Sequence, residues 1–99
     1  MAQLEITILS LGRPGTSASA FVAEAVKVAK RSGVRYQLNA MGTTLEGDIE
    51  TILRVAREMH EAPFSMGIER VYTVIKIDDR RDRESSMDGK VRSVEEKMG

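Results

Sequence analysis

The sequence contains no cysteine. That removes disulfides, thiolate nucleophiles and thiolate metal sites together. It contains one histidine, His60, with no metal-binding partner at i±4, so the residues argue against zinc. His60 reads instead as a surface residue near a helix C-terminus. Charge of one sign is also missing: fifteen basic and fifteen acidic residues cancel. Such a chain has no electrostatic footprint for nucleic acid or anionic lipid. No apolar run approaches the roughly 20 residues that span a bilayer. The N-terminus lacks the basic and apolar regions of a secretory signal. There is no internal repeat and no low-complexity tract. These absences lead to an expected cytoplasmic protein without metal or cofactor, and without nucleic acid or membrane as partner.

What is present suits a soluble globular chain. In 99 residues, 41% are apolar and 30% charged, which points to one domain. A domain of this size has a thin margin of stability, and oligomerisation is a common way to add burial.

Residues 3–11 alternate as a strand does, with Leu4, Ile6 and Ile8 on one face and Glu5 and Thr7 on the other. Gly12-Arg13-Pro14-Gly15 breaks the chain, and Thr16 or Ser17 can cap the helix that follows. Residues 18–32 place Phe21, Val22, Ala25, Val26, Val28 and Ala29 at helical spacing, and Gly33 is a natural stop. Residues 34–41 alternate again. Gly42-Thr43 reads as a tight turn, with Thr44 to Glu46 returning as a short strand. Asp48 can cap a second helix whose apolar side holds Ile49, Ile52, Leu53, Val55, Ala56 and Met59, and Pro63 stops it. Residues 68–77 make a fourth strand. A charged linker over 78–87 leads to a last helix capped by Asp88, with Val91, Val94 and Met98 on a narrow stripe that must dock on something. Met41, Met59, Met66 and Met98 read as core fillers.

The order β-α-β-β-α-β predicts an α+β, ferredoxin-like fold, a four-stranded antiparallel sheet with two helices on one face plus a C-terminal helix. Residues 1–78 form the ferredoxin-like domain; 79–99 are a charged linker and C-terminal helix of the same domain. The sheet face away from the two helices would carry Glu5, Thr7, Leu9, Gln37, Asn39, Thr44, Glu46 and Tyr72. That set is too polar for a core and too mixed for a plain solvated face. It suits a wet oligomer interface or a ligand surface.

The most informative stretch is Met41-Gly42-Thr43-Thr44-Leu45-Glu46-Gly47-Asp48. Its threonines could simply satisfy strand propensity and its carboxylate simply be solvated. Alternatively, Glu46 accepts from an amine or a protonated ring nitrogen while the hydroxyls orient the ligand. Ser10 continues the apolar parity of β-strand residues Leu4, Ile6 and Ile8, so it reads as a satisfied core serine or a pocket wall. Gly12-Arg13-Pro14-Gly15-Thr16-Ser17 could hold an anion at a helix N-terminus, but it lacks the P-loop lysine and the dinucleotide glycine spacing. An ordinary loop is the simpler reading.

Several of these pieces together resemble the thiamine-binding protein family, the YkoF-like proteins that bind thiamine or its hydroxymethylpyrimidine part. They are Pro14-Gly15, Tyr36-x-Leu38, Met41-Gly42-Thr43-x-x-Glu46-Gly47, Gly67-x-x-Arg70-Val71, Ile75-Lys76-Ile77-Asp78-x-Arg80 and Lys90-Val91-x-Ser93-Val94. The resemblance spans nearly the whole chain. It implies a ferredoxin-like fold, a homodimer or homotetramer, and non-catalytic binding of a small ligand, thiamine or a pyrimidine precursor. On that reading Glu46 is the charge partner, Thr43 and Thr44 are hydroxyl contacts, and Ser10 and Asn39 are lesser contacts. Tyr36, Tyr72 or Phe64 could wall the flat ring.

Two other classes compete. A ligand-free regulatory or assembly module would use the mixed sheet face only for subunit contacts. An acylphosphatase-like hydrolase would need an oxyanion loop with a positioned Arg and Asn, for which Arg13 and Asn39 are the candidates.

Overall fold

The computed structural model describes residues 1–10 and 18–99, the side chains of Ser10 and Ala18 apart. Seven regular elements follow in order: β1 (Ala2–Ser10), α1 (Ala18–Ser32), β2 (Arg35–Asn39), β3 (Gly42–Gly47), α2 (Ile49–Glu61), β4 (Val71–Asp79) and α3 (Met87–Met98). The sheet is antiparallel throughout, in the order β2-β3-β1-β4. This is the ferredoxin-like α+β arrangement expected from the periodicity.

Local chemistry accounts for most element ends. The Asp48 carboxylate accepts from the Thr51 N–H (3.3 Å), capping α2 as expected. A 3-10 turn, Ala62–Met66, carries Pro63 past the end of α2 and closes on Gly67 at φ 84°. Gly33 follows α1 at φ 82°, a left-handed conformation that glycine adopts without a Cβ penalty. The expected cap at Thr16 or Ser17 lies outside the described residues.

The core sits between the sheet and two helices. β1 turns Leu4, Ile6 and Ile8 toward α1 and α2, where Phe21, Ala25, Ile52, Val55 and Met59 meet them. Leu4 lies opposite Leu45 on β3 and opposite Ile77 on β4. Strand parity then sends Thr43, Leu45, Tyr36 and Ile75 to the helix side, and Gln3, Glu5, Thr44, Glu46 and Gln37 to the other. The edge strands outrun the helical cover: Leu38 on β2 and Ile75 and Ile77 on β4 point to the helix side yet stay exposed.

Four expectations need correction. The hairpin turn is Ala40-Met41, and Gly42 and Thr43 already belong to β3, with Asn39 opposite Gly42. The physical reason is crowding: a Cβ on Gly42 would lie 2.9 Å from Thr7 Oγ1 and 3.1 Å from the Ile6 carbonyl oxygen. Glycine stands there for close approach of two strands, not for turn geometry. The fourth strand runs Val71–Asp79, because β1 pairs with it only over those residues, while Ile68 is buried in the core ahead of it. The last helix begins at Met87 with Ser86 as its cap, whose hydroxyl accepts from the Gly89 N–H (3.0 Å). Of the methionines read as core fillers only Met59 is one; Met41, Met66 and Met98 are exposed.

Replacing Gly42 by Ala is expected to destabilise the fold by about 1–3 kcal/mol through overpacking. Urea unfolding measures it; an unchanged midpoint would show that the β1–β3 approach is looser than its geometry.

Candidate functional site

The polar residues of β3 divide between two sides of the sheet. On the helix side, Thr43 is buried. It helps line a cavity of about 290 Å³ between α1 and the hairpin end of the sheet. The walls are mostly apolar: Ile6, Ile8, Val22, Ala25, Val26, Leu38 and Met59. Asn39, Thr43 and the Ala40-Met41 turn bring polar atoms to one end. The Thr7 hydroxyl donates to the Met41 carbonyl (3.0 Å) and steadies that turn. Apolar walls with few polar groups at one rim describe a small-molecule site. The volume stands at the low end of the roughly 300–1,000 Å³ usual for ligand pockets.

On the other side, β3 helps carry a helix. The Met87 N–H, in the first turn of α3, donates to Glu46 Oε1 (2.8 Å). Arg35 Nε stands 3.6 Å from Glu46 Oε2 and also pairs with Asp88. Gln3 Nε2 donates to the Ser85 carbonyl (3.0 Å), and Lys90 pairs with Asp78. Registers place Arg35 opposite Glu46, Glu46 opposite Gln3, and Gln3 opposite Asp78. These four form one row across all four strands, and the row receives the start of α3. Burial of Glu46 is thereby compensated: a carboxylate near a helix N-terminus is favoured by the exposed N–H groups and the dipole. Among the described residues, no buried side-chain nitrogen or oxygen lacks a partner.

The five expected contacts are therefore not one cluster. Thr43 lines the apolar cavity; Asn39, at the end of β2, borders it, but its side chain lies on the far face, where its Oδ1 accepts from Gln37 Nε2 (3.2 Å). Thr44 lies on the far face, in a cleft of about 330 Å³ with Gln3, Gln37, Asn39, Met87, Lys90 and Val91. Glu46 lies one row beyond, engaged by Met87 and Arg35. Ser10 ends β1, and its side chain, like Arg13, lies outside the described residues. Of the aromatic candidates, none lines the cavity; Tyr72 is exposed on the far face. Phe64 packs edge-on against His60 with centroids 5.5 Å apart. His60 Nδ1 and the Thr73 hydroxyl are 2.6 Å apart, tying α2 to β4. No group of His, Asp and Glu suited to a metal ion occurs among the described residues, nor does any helix long and apolar enough to cross a membrane.

The profile of the family described as thiamine-binding protein matches residues 4–95. The chain belongs to that family. A member of the UPF0045 group from Methanothermobacter thermautotrophicus is 43% identical, covering 99% of this chain and 100% of its own. The UPF0045 protein YqgV of Bacillus subtilis is 39% identical over 95% of this chain and 94% of its own. Among solved structures, the Methanocaldococcus jannaschii protein MJ1052 superposes with a TM-score of 0.86 at 36% identity, covering 96% of each chain. For a member of the thiamine-binding family, the cavity and the α3 row are two separate features. Thr43, Thr44 and Glu46 are neighbours along the chain, yet strand alternation about Leu45 sends Thr43 to the cavity and Thr44 and Glu46 to the far face.

Replacing Glu46 by Ala leaves the Met87 N–H without its acceptor. The expected loss is about 1–3 kcal/mol. Amide exchange should accelerate across residues 87–98 and stay slow in β1. Unchanged protection in α3 would show that Glu46 does not anchor it.

Proposed function

We propose that this protein binds thiamine or a hydroxymethylpyrimidine-like metabolite without catalysing a reaction, as a small cytoplasmic homo-oligomer. Membership of the thiamine-binding family supports the ligand class. The observation that carries the reading is the cavity between α1 and the β2–β3 hairpin, whose apolar walls and single polar rim suit an aminopyrimidine ring. The ring nitrogen and exocyclic amine need hydrogen-bonding partners at one edge; Thr43 offers a hydroxyl and the Ala40-Met41 turn its backbone groups. Ser10 is proposed as a further contact on its strand parity alone.

The far-face cleft supports a second placement of the same ligand, in which Thr44 and Asn39 meet it beneath Val91. Glu46 would be its charge partner only if α3 released the carboxylate. The occupied hydrogen bond to Met87 is why the helix-side cavity is the leading site.

Calorimetric titration with thiamine and with hydroxymethylpyrimidine tests both. Thr43→Val is expected to weaken binding by about 1–2 kcal/mol, the value of one neutral hydrogen bond plus the cost of leaving a ligand atom unpaired. Thr44→Val is expected to leave it unchanged. The reverse pattern would move the ligand to the far face. Absence of heat at millimolar ligand, from folded protein, would end the thiamine reading.

A further inference from the structure

We propose that α3 is a releasable strap. It leaves the sheet and melts as one unit while the four strands, α1 and α2 stay folded, and its departure uncovers the buried surface around Gln3 and Glu46. The proposal concerns the far face alone and holds whichever ligand the helix-side cavity takes.

The core is complete without α3. Among the described residues, the buried apolar cluster draws on β1, β3, α1, α2 and Ile68, and none of its members comes from α3. Met87, the one buried residue of α3, lies apart from that cluster. Residues 90–99 are all exposed, and Val91, Val94 and Met98 show 48%, 60% and 79% of their surface. Undocking α3 therefore exposes little new apolar area, the term that makes most helices hard to detach. Once detached, a 12-residue helix is too short to persist in water, so undocking and melting are one event.

Clefts open beside the helix in two places. One, of about 330 Å³, lies between Lys90 and Val91 and the sheet residues Gln37 and Thr44. The other, of about 570 Å³, lies between Gly89 and Val94 and the sheet residues Glu46 and Asp78. α3 stands on the sheet by its first turn instead of lying packed along it.

What holds the strap is mostly polar. The exposed ion pairs Arg35–Asp88 and Lys90–Asp78 exchange protein partners for water at little cost. The Gln3 amide donates to the Ser85 carbonyl (3.0 Å), and the Met87 N–H to Glu46 Oε1 (2.8 Å). Truncating Glu46 strands a buried donor, whereas undocking hydrates both partners, so only the small net value of the bond is lost. The row fixes where α3 docks without making its release costly. In the segment before the helix, the pairs Arg80–Asp82 and Arg81–Asp79 each join residues two apart.

Release changes what the far face offers. Glu46 and Gln3 lie opposite one another and are buried. With α3 away, their carboxylate and amide face water beside Thr44. In the docked state the Met87 N–H occupies the acceptor that an N–H of a far-face ligand needs. Docked α3 is an autoinhibitory contact for that surface, and a ligand that binds it shifts the population toward the open state.

A cysteine in place of Gln3 reads the opening, because the chain has no native thiol. In the full chain, Gln3→Cys is expected to react slowly with a chromogenic disulfide reagent, at a rate set by the population of the open state. Ser86→Ala removes the α3 cap and should speed the reaction about 2- to 30-fold. Ser93→Ala combined with Val94→Ala, two exposed positions given a better helix former, should slow it about 5-fold. Leu53→Cys, exposed on α2, should react at one rate in all three backgrounds. Low urea separates release from global unfolding, since the urea slope follows the surface exposed. Labelling at residue 3 and amide exchange across 87–98 should depend weakly on urea, and exchange in β1 steeply. Labelling that ignores both helix changes, or that shows the full urea slope of β1, overturns the proposal. Where circular dichroism shows Gln3→Cys unfolded, exchange in the native chain decides alone. Amides 87–98 as protected as those of β1 overturn the proposal, and a common, lower protection upholds it.

Discussion

One row of side chains across the sheet, Arg35–Glu46–Gln3–Asp78, holds the far side of this protein together. Each strand contributes one member, and each member meets the start of α3 or the loop before it. The surface ion pairs of the row, Arg35–Asp88 and Lys90–Asp78, are solvated and add little by themselves. The buried bond from Met87 N–H to Glu46 is different. Removing its acceptor would leave a donor without water or partner, and such asymmetry makes a buried hydrogen bond expensive to break. The row therefore turns a helix with a weak apolar stripe into a fixed part of the fold. Only Met87 of that helix is buried; Val91, Val94 and Met98 remain open.

This arrangement explains why β3 is buried on both sides. Leu45 and Thr43 face α1 and α2, while Glu46 faces α3. A central strand between two layers can be polar on one side only if that side has polar partners in the right row. The register of Leu4 with Leu45 supplies them, because it brings Gln3 beside Glu46. A slip of one residue would send Glu46 into the apolar core and Leu45 to the α3 side. The same register leaves Thr43 at the end of the core, where the helices leave the cavity unfilled.

Much of the fold was readable along the chain. The alternation of Leu4, Ile6 and Ile8 and the spacing of Ile52, Val55, Ala56 and Met59 name their buried faces directly, since burial on one side imposes a period. Asp48 and Gly33 were equally legible, because capping acts within four residues. The hairpin was misplaced by two residues because glycine signals both a turn and a close approach, and only the neighbouring strand distinguishes them. Leu53 has helical spacing yet is exposed, as the width of a buried stripe depends on what packs against it. The methionines misled for a similar reason: their composition suits a core, but Met41 sits at a hairpin tip and Met98 at a helix end.

By itself the sequence determined the order of elements, the sheet's two faces and the side of β3 on which Glu46 must lie, because these follow from local periodicity and capping. Tertiary structure alone decided what Glu46 does there. Its partner N–H belongs to Met87, 41 residues away, and no local pattern encodes a contact across that separation. The same holds for Thr43, which meets the α1 residues Val22, Ala25 and Val26 at one cavity only because β3 and α1 pack together. A polar run that reads as one cluster becomes two sites once strand alternation sends adjacent residues to opposite faces.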